Sequence, residues 1–310
     1  MSSEHEHGAD VARLAIALIG YGEVGGIFGQ ALAARGVARV TAWDILLPDP
    51  AKSAAMRERA RRDGVRLATD AATAVAEADL VISAVTASAT RAAAAGAAPA
   101  MRRGAFLLDV NSASPETKAA CGALVAAAGG RYVESAVMTS VPPYGIRVPM
   151  LLGGPDAAAL APTLAALGFA ASVASEKLGV ASAIKMCRSV MIKGMEAIVV
   201  ESFLAARRYG VENEVLASLA ETFPGIDWET QGSYFWSRVV QHGKRRAEEM
   251  RESAATVREA GFEPTMASAI AERQQWVADL ASAGTFAGTV REAGWREFAD
   301  RIPGGPGVAD

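Results

Sequence analysis

Short apolar runs alternate with stretches of helical spacing through the first half of the chain. Arg13 to Ile19 is an apolar run ending at glycine and predicts a buried strand. Val24 to Ala34 has helical spacing and stops at Gly36. Further strands are predicted at Ala38–Trp43, Val65–Ala68, Leu80–Val85, Ala105–Val110, Arg131–Val137 and Val148–Gly153. Helices are predicted between them at Ala51–Arg62, Ala71–Ala78, Ala87–Ala100 and Pro115–Ala128.

Alternation at this pace predicts a doubly wound α/β sheet. From Gly179 to Phe298 the pattern carries no strand. Long helical stretches replace it at Val180–Tyr209, Glu212–Phe223, Thr230–Ala260 (with a break in the last) and Pro264–Ala283. The expected organisation is a leader at 1–10, an α/β domain at 11–177, an all-α domain at 178–300, and a flexible tail at 301–310.

Composition narrows the class. Of 310 residues, 51% are apolar and 21% charged, as in a globular protein with a large core. A net charge of −3 with no basic block argues against a nucleic-acid partner. The leader is acidic, with no apolar core before Val11, and no apolar stretch reads as a membrane span, so a cytoplasmic protein without a membrane partner is expected. Cys121 and Cys187 are too few for a disulfide framework and read as buried thiols in a reducing compartment. His5 and His7 in the leader read as incidental, and no metal site is expected.

The chemistry concentrates at two places. Gly20-x-Gly22-x-x-Gly25 follows a strand and opens a helix, and Asp44 ends the next strand 19 residues after Gly25. This context marks a Rossmann-type unit. Gly20 permits the tight turn, Gly22 lets the backbone approach a pyrophosphate, and Gly25 lets helix and strand pack closely. The helix N-terminus offers unpaired N–H groups to phosphate. Asp44 would accept from the ribose hydroxyls and repel a 2′-phosphate, favouring NAD over NADP. A tight turn without a nucleotide is the bland alternative.

The second place is Val180–Val200. This apolar helix carries Lys185, Arg188, Ser189, Lys193 and Glu196 in one stripe, and lysine occurs at only six positions in the chain. Polar groups on a buried helix must be paired or line a wet cleft. A snorkelling stripe or an internal Lys193–Glu196 pair would also explain the pattern.

With both in place, the chain resembles the β-hydroxyacid dehydrogenases, which include 3-hydroxyisobutyrate and 6-phosphogluconate dehydrogenases. Four motifs carry the resemblance: Ile19–Gly25 with Tyr21, Glu23 and Val24 around the glycines; Asp79–Thr86, ending in Val85-Thr86 beside the nicotinamide ribose; Asp109-Val110-Asn111-Ser112-Ala113-Ser114-Pro115; and Gly179 through Lys185-Met186-Cys187-Arg188-Ser189. The resemblance implies that Lys185 is the general acid/base at the substrate hydroxyl or carbonyl. It places Asn111 and Ser112 near the nicotinamide and the substrate carboxylate. The family's substrate-binding segment falls on Glu134–Ser140, where Met138, Thr139 and Ser140 replace the usual serine and two glycines. Arg188 and Ser189 stand where two asparagines are usual. Retention of Lys185 favours alcohol/carbonyl over imine chemistry. The stretch Arg238–Met250 resembles the less characterised helical domain of some 6-phosphogluconate-dehydrogenase-like proteins.

A free lysine has a pKa of about 10.4, poorly placed for catalysis at neutral pH. Burial and the nearby Arg188 are expected to lower it, and Arg188 to grip an anionic group, unless Arg188 pairs with Glu134 or Glu196. Arg238, His242 and Arg245 recur at i, i+4 and i+7, either as a basic face at the cleft or as a solvated face. Tyr234 and Trp236 beside them are core anchors, or they line a pocket for a bulky or aromatic substrate. The expected function is an NAD-dependent 3-hydroxyacid-type dehydrogenase with a small-molecule substrate, working as a homodimer. The alternatives are a decarboxylating 6-phosphogluconate-dehydrogenase-like enzyme and a non-catalytic nucleotide-binding regulator.

Overall fold

The computed structural model describes residues 11–303; the predicted leader with His5 and His7, and residues 304–310 of the predicted tail, lie outside the described residues. Two compact units divide the chain after Met186.

The first unit runs β1 (Ala15–Ile19), α1 (Glu23–Ala34), β2 (Arg39–Trp43), α2 (Pro50–Asp63), β3 (Arg66–Leu67), α3 (Ala71–Val75), β4 (Leu80–Ser83), α4 (Thr90–Ala97), β5 (Phe106–Asp109), α5 (Pro115–Ala127), β6 (Arg131–Val137), β7 (Met150–Gly153), α6 (Ala157–Ala166) and β8 (Ala171–Ser175), and ends in the first turns of α7 (Val180–Tyr209). The eight strands form one sheet in the order β3-β2-β1-β4-β5-β6-β7-β8. The pairs from β3 across to β6 are parallel, β7 runs antiparallel to β6, and β8 is parallel to β7.

The central strands are continuous apolar runs because both faces are covered. Alternate residues feed two cores. Ile16, Leu18, Ile82 and Leu108 join Phe28 and Leu32 of α1 on one face, whereas Ala17, Ile19, Val81 and Leu107 join Cys121 and Val125 of α5 on the other. Side-chain oxygens start the helices: Asp49 accepts from the first amides of α2, and Ser114 caps α5.

Several elements depart from the sequence pattern for local reasons. The stretch predicted as one helix at Ala87–Ala100 is α4 flanked by two 3-10 turns, the second carrying Pro99, which cannot donate to a continuing helix. α6 is hidden in the sequence by Pro162 inside it. β8 is a largely exposed edge strand of small residues and shows no apolar run.

The second unit takes the remainder of α7, then α8 (Glu212–Thr222), α9 (Trp228–Glu259), α10 (Thr265–Ser282) and α11 (Trp295–Asp300). α9 runs without the expected break. Its Gly243 stays helical where a Cβ would press on the Gln274 carbonyl of α10 at 2.8 Å, so the glycine serves close helix packing. Phe203, Trp236, Trp295 and Phe298 build an aromatic core; the rings of Trp236 and Phe298 stack, and Phe203 lies 4.9 Å from Trp295. Cys121 is buried as expected, but Cys187 is exposed, because its position on α7 turns away from the packed faces. Among the described residues no helix is long and apolar enough to cross a membrane.

Trp295 is fully buried. Trp295→Ala is expected to lower unfolding free energy by about 3–5 kcal/mol in urea titration. A loss below about 1 kcal/mol would show that this core collapses around the missing indole.

Candidate active site

The carboxyl ends of β1, β2, β4 and β5 assemble the candidate site, at the point where the sheet's winding reverses between β1 and β4. Gly20 leaves β1 at φ +90°, and a Cβ there would meet the Ala84 carbonyl oxygen. A Cβ on Gly25 would strike the Gly20 carbonyl, so the turn closes directly onto α1. Gly22 differs: it is exposed, caps α1 with no side-chain bond, and a Cβ on it would enter open space. A helix N-terminus with no side-chain cap and open space beside its cap residue is one that an anion can approach. Glu23 is exposed and Val24 half-buried in the first turn, whereas the Tyr21 ring is buried beneath Arg59, whose guanidinium lies 4.8 Å from its centre.

Asp44 ends β2 with both oxygens engaged. One accepts from the Tyr21 amide at 2.8 Å and the other from the Leu46 amide at 2.9 Å. Its carboxylate therefore locks the glycine loop to the second strand, a role the spacing alone did not reveal.

After β4 the Val85 amide donates to Asn111 Oδ1 at 2.6 Å, and Asn111 Nδ2 donates to Ser83 Oγ at 2.9 Å. Thr86 next to it is exposed. Asn111 is thus a buried brace between two strand ends. Its neighbour Ser112 is half-buried, and Lys185 Nζ donates to Ser112 Oγ at 2.7 Å. Two residues far apart in sequence, both expected at the reacting centre, meet within the first unit.

A buried set supports this loop from behind. Lys118 Nζ pairs with Asp109 Oδ1 at 2.8 Å, both side chains being 1% exposed, and also donates to the Asp109 carbonyl at 3.0 Å. Asp109 accepts from the Asn111 amide at 2.9 Å and from the Tyr132 hydroxyl at 2.7 Å. Burial first, then the Asp109 charge, pushes the Tyr132 phenol well above its ordinary pKa. Burial likewise raises the Cys121 thiol to about 11. Lys118 and Tyr132 were not singled out by the sequence. The one available clue was a lysine followed by a run of small and apolar helix positions.

Glu134 positions the lysine helix. Fully buried in β6, it accepts from the amides of Gly179 at 2.7 Å and Ala181 at 3.2 Å and from the Ser182 hydroxyl. It thereby caps α7 three residues before Lys185. Gly153 on β7 must lack a side chain, since a Cβ would strike Glu134 Oε1. Beyond β6, Met138 and Ser140 are half-buried and Thr139 is exposed.

Other expected site residues belong to the second unit. Arg188 is exposed and Ser189 buried on α7. Lys193 pairs with Glu249 of α9 at 2.9 Å and donates to Ser189 at 3.2 Å. Glu196 pairs with Arg246 rather than with Lys193. Tyr234 is 54% exposed, whereas Trp236 is fully enclosed in the aromatic core, where no ligand reaches its ring. His242 is half-buried on α9.

A model of the NAD binding domain of 6-phosphogluconate dehydrogenase matches residues 15–168, and a domain of unknown function, DUF1932, matches residues 206–277. A conserved hypothetical protein from Sinorhizobium meliloti 1021 is 41% identical, with a TM-score of 0.73 over 93% of this chain and 97% of its own. The conserved protein MTH1747, whose structure is described as similar to 3-hydroxyacid dehydrogenases, is 32% identical, with a TM-score of 0.66 over 87% of this chain and 98% of its own. The 3-hydroxyisobutyrate dehydrogenase of Mycobacterium tuberculosis shares the fold at 18% identity, with a TM-score of 0.66 over 93% of this chain and 98% of its own.

The raised Tyr132 pKa makes a linkage statement. The folded state holds this proton more tightly than the unfolded chain, so stability is full below pH 10.0 and falls as pH rises above it. Cys121, raised from 9.0 to about 11, starts the decline earlier. Urea unfolding from pH 8 to 11 should show falling stability, with the slope above pH 10 reduced in Tyr132→Phe. Equal slopes in both proteins would remove Tyr132 as its source.

Proposed function

Since the chain belongs to the β-hydroxyacid dehydrogenase superfamily, we propose that it transfers hydride between a nicotinamide cofactor and the alcohol or carbonyl carbon of a hydroxy acid or related substrate. The observation that carries this reading is the 2.7 Å contact between Lys185 Nζ and Ser112 Oγ, beside the braced Asn111. A bound nicotinamide would supply or take up the hydride. Gly20, Gly22 and Gly25 would hold its pyrophosphate against the N-terminus of α1, and Val85, Thr86 and Asn111 would border the nicotinamide ribose.

The chain's own groups do the rest. Lys185 Nζ gives a proton to the carbonyl oxygen on reduction and takes it from the hydroxyl on oxidation. Ser112 Oγ aims that amine and hydrogen-bonds the substrate. Asn111 cannot swing, because Val85 and Ser83 hold both ends of its amide. Thr139, Ser140 and the backbone at Met138, past the end of β6, would be groups for a substrate carboxylate. The homodimer reading is supported by Met191, Ile192 and Ile198, three large apolar side chains that α7 leaves exposed.

Lys185→Ala should lower turnover about 10²–10⁴-fold while leaving NADH affinity within about threefold of wild type. Screening hydroxy acids and aldehydes, aromatic ones included, by NADH absorbance supplies the substrate. Release of CO₂ in that screen would identify the decarboxylating variant. Tight NADH binding with no turnover of any member would leave a nucleotide-binding regulator.

We also read the cofactor as NAD: the Asp44 carboxylate follows β2 beside the glycine loop, and a negative charge there would disfavour a 2′-phosphate. Asp44→Asn removes that charge and keeps an acceptor for the loop. The ratio of NADPH to NADH affinity should rise about tenfold, roughly 1.4 kcal/mol, in fluorescence titrations. An unchanged ratio would assign Asp44 to the loop alone.

A further inference from the structure

Beside the glycine loop stands a residue that the glycine motif does not contain. Arg59 rises from α2, and its guanidinium reaches back across the chain to the loop. It donates to the Tyr21 carbonyl and, at 3.0 Å, to the Gly22 carbonyl. It also lies over the Tyr21 ring, 4.8 Å from its centre, and that ring is fully buried. Other cations of α2 pair with carboxylates: Lys52 with Asp49, Arg61 with Glu58 and Arg62 with Asp63. Arg59 is directed at two neutral carbonyls instead, so its full charge stands beside the loop.

α1 leaves room for this contact. The nearest atoms that a Cβ on Gly26 would meet all belong to Arg59, with Cζ and Nε at 2.7 Å. Gly26 is buried and helical, and its backbone is not left-handed. Alanine would make the more stable helix at such a position. What requires the missing side chain is the guanidinium.

The two carbonyls matter because of what shares their peptide planes. The Tyr21 carbonyl is in one unit with the Gly22 amide, and the Gly22 carbonyl with the Glu23 amide. Both units are trans, so each N–H points opposite to its C=O. Drawing the carbonyls toward Arg59 turns the amides to the other side of the loop, at the N-terminus of α1. A cationic donor on each carbonyl also polarises the unit and strengthens its N–H as a donor. Asp44 holds the Tyr21 amide at 2.8 Å, so the loop is fixed from both ends of that residue.

We propose that Arg59 is a positioning residue for the cofactor, holding and polarising two peptides so that the Gly22 and Glu23 amides present aligned donors to a diphosphate. The inference rests on the dinucleotide reading and deepens it. The glycines set where the backbone runs, and Arg59 sets which way its peptides face. The ligand group it serves is the diphosphate, and a nucleoside without phosphate gains nothing from it.

The test separates diphosphate from nucleoside. NADH, ADP and adenosine are each titrated calorimetrically against the full chain. In Arg59→Met, NADH and ADP should bind about tenfold more weakly, and adenosine within about twofold of wild type, as loss of charge-assisted hydrogen bonds confined to the diphosphate requires. Arg59→Lys keeps the charge without the planar fork and should recover part of the ADP affinity. Gly26→Ala pushes the guanidinium aside. It should weaken ADP by a similar factor while its thermal midpoint is no lower than wild type. The double variant should lose no more than Arg59→Met alone, since both changes remove one interaction. Equal ADP affinity in wild type and a folded Arg59→Met overturns the proposal. So does an equal loss of ADP and adenosine, which would reduce Arg59 to general support of the loop. A wild-type chain that binds neither NADH nor ADP overturns the dinucleotide reading itself, and this inference with it.

Discussion

A helix that starts in a dry interior must find acceptors for its first amides, and for α7 that acceptor is Glu134. The carboxylate reaches out of the sheet to the amides of Gly179 and Ala181 and to the Ser182 hydroxyl. It therefore fixes where α7 begins and, one and a half turns later, where Lys185 stands. Gly153 is the corresponding concession on the next strand, since any side chain there would displace Glu134. An alanine at 134 would leave three buried donors without a partner and the lysine without a fixed origin.

The same device recurs along the carboxyl edge of the sheet. Asp44 gathers the amides of Tyr21 and Leu46, and Asp109 gathers the Asn111 amide and the Tyr132 hydroxyl. Asp109 and Glu134 are also register partners on adjacent parallel strands. Two buried carboxylates side by side repel, so each needs its own compensation. Lys118 supplies it for Asp109 as a full charge. The N-terminus of α7 supplies it for Glu134 as aligned amide dipoles. The residues that would touch substrate, Asn111, Ser112 and Lys185, are thus held by groups that do not touch it. Rigid support of this kind keeps catalytic donors aimed without reorganisation.

What was legible in the sequence follows from this division. The glycine loop, Asp44, Asn111, Ser112 and Lys185 declare themselves through local spacing, because a turn, a strand end and a helix face each leave a short-range pattern. The supporting residues leave almost none. Glu134 sits 45 residues before the amide it accepts from, and Lys118 resembles any lysine on an alanine-rich helix. Asp44 was legible by position, but its two bonds were not, because they depend on how the loop folds back onto β2. α6 and β8 escaped for the opposite reason: Pro162 and a run of small exposed residues erase the periodicity that packing restores.

The polar stripe of α7 shows why spacing alone cannot assign roles. Lys185, Ser189, Lys193 and Glu196 recur along one helix and look alike in sequence. What opposes each one decides its chemistry. Lys185 meets a hydroxyl on a loop. Lys193 and Glu196 meet the opposite charges of Glu249 and Arg246 on α9 and become structural pairs that tie two long helices together.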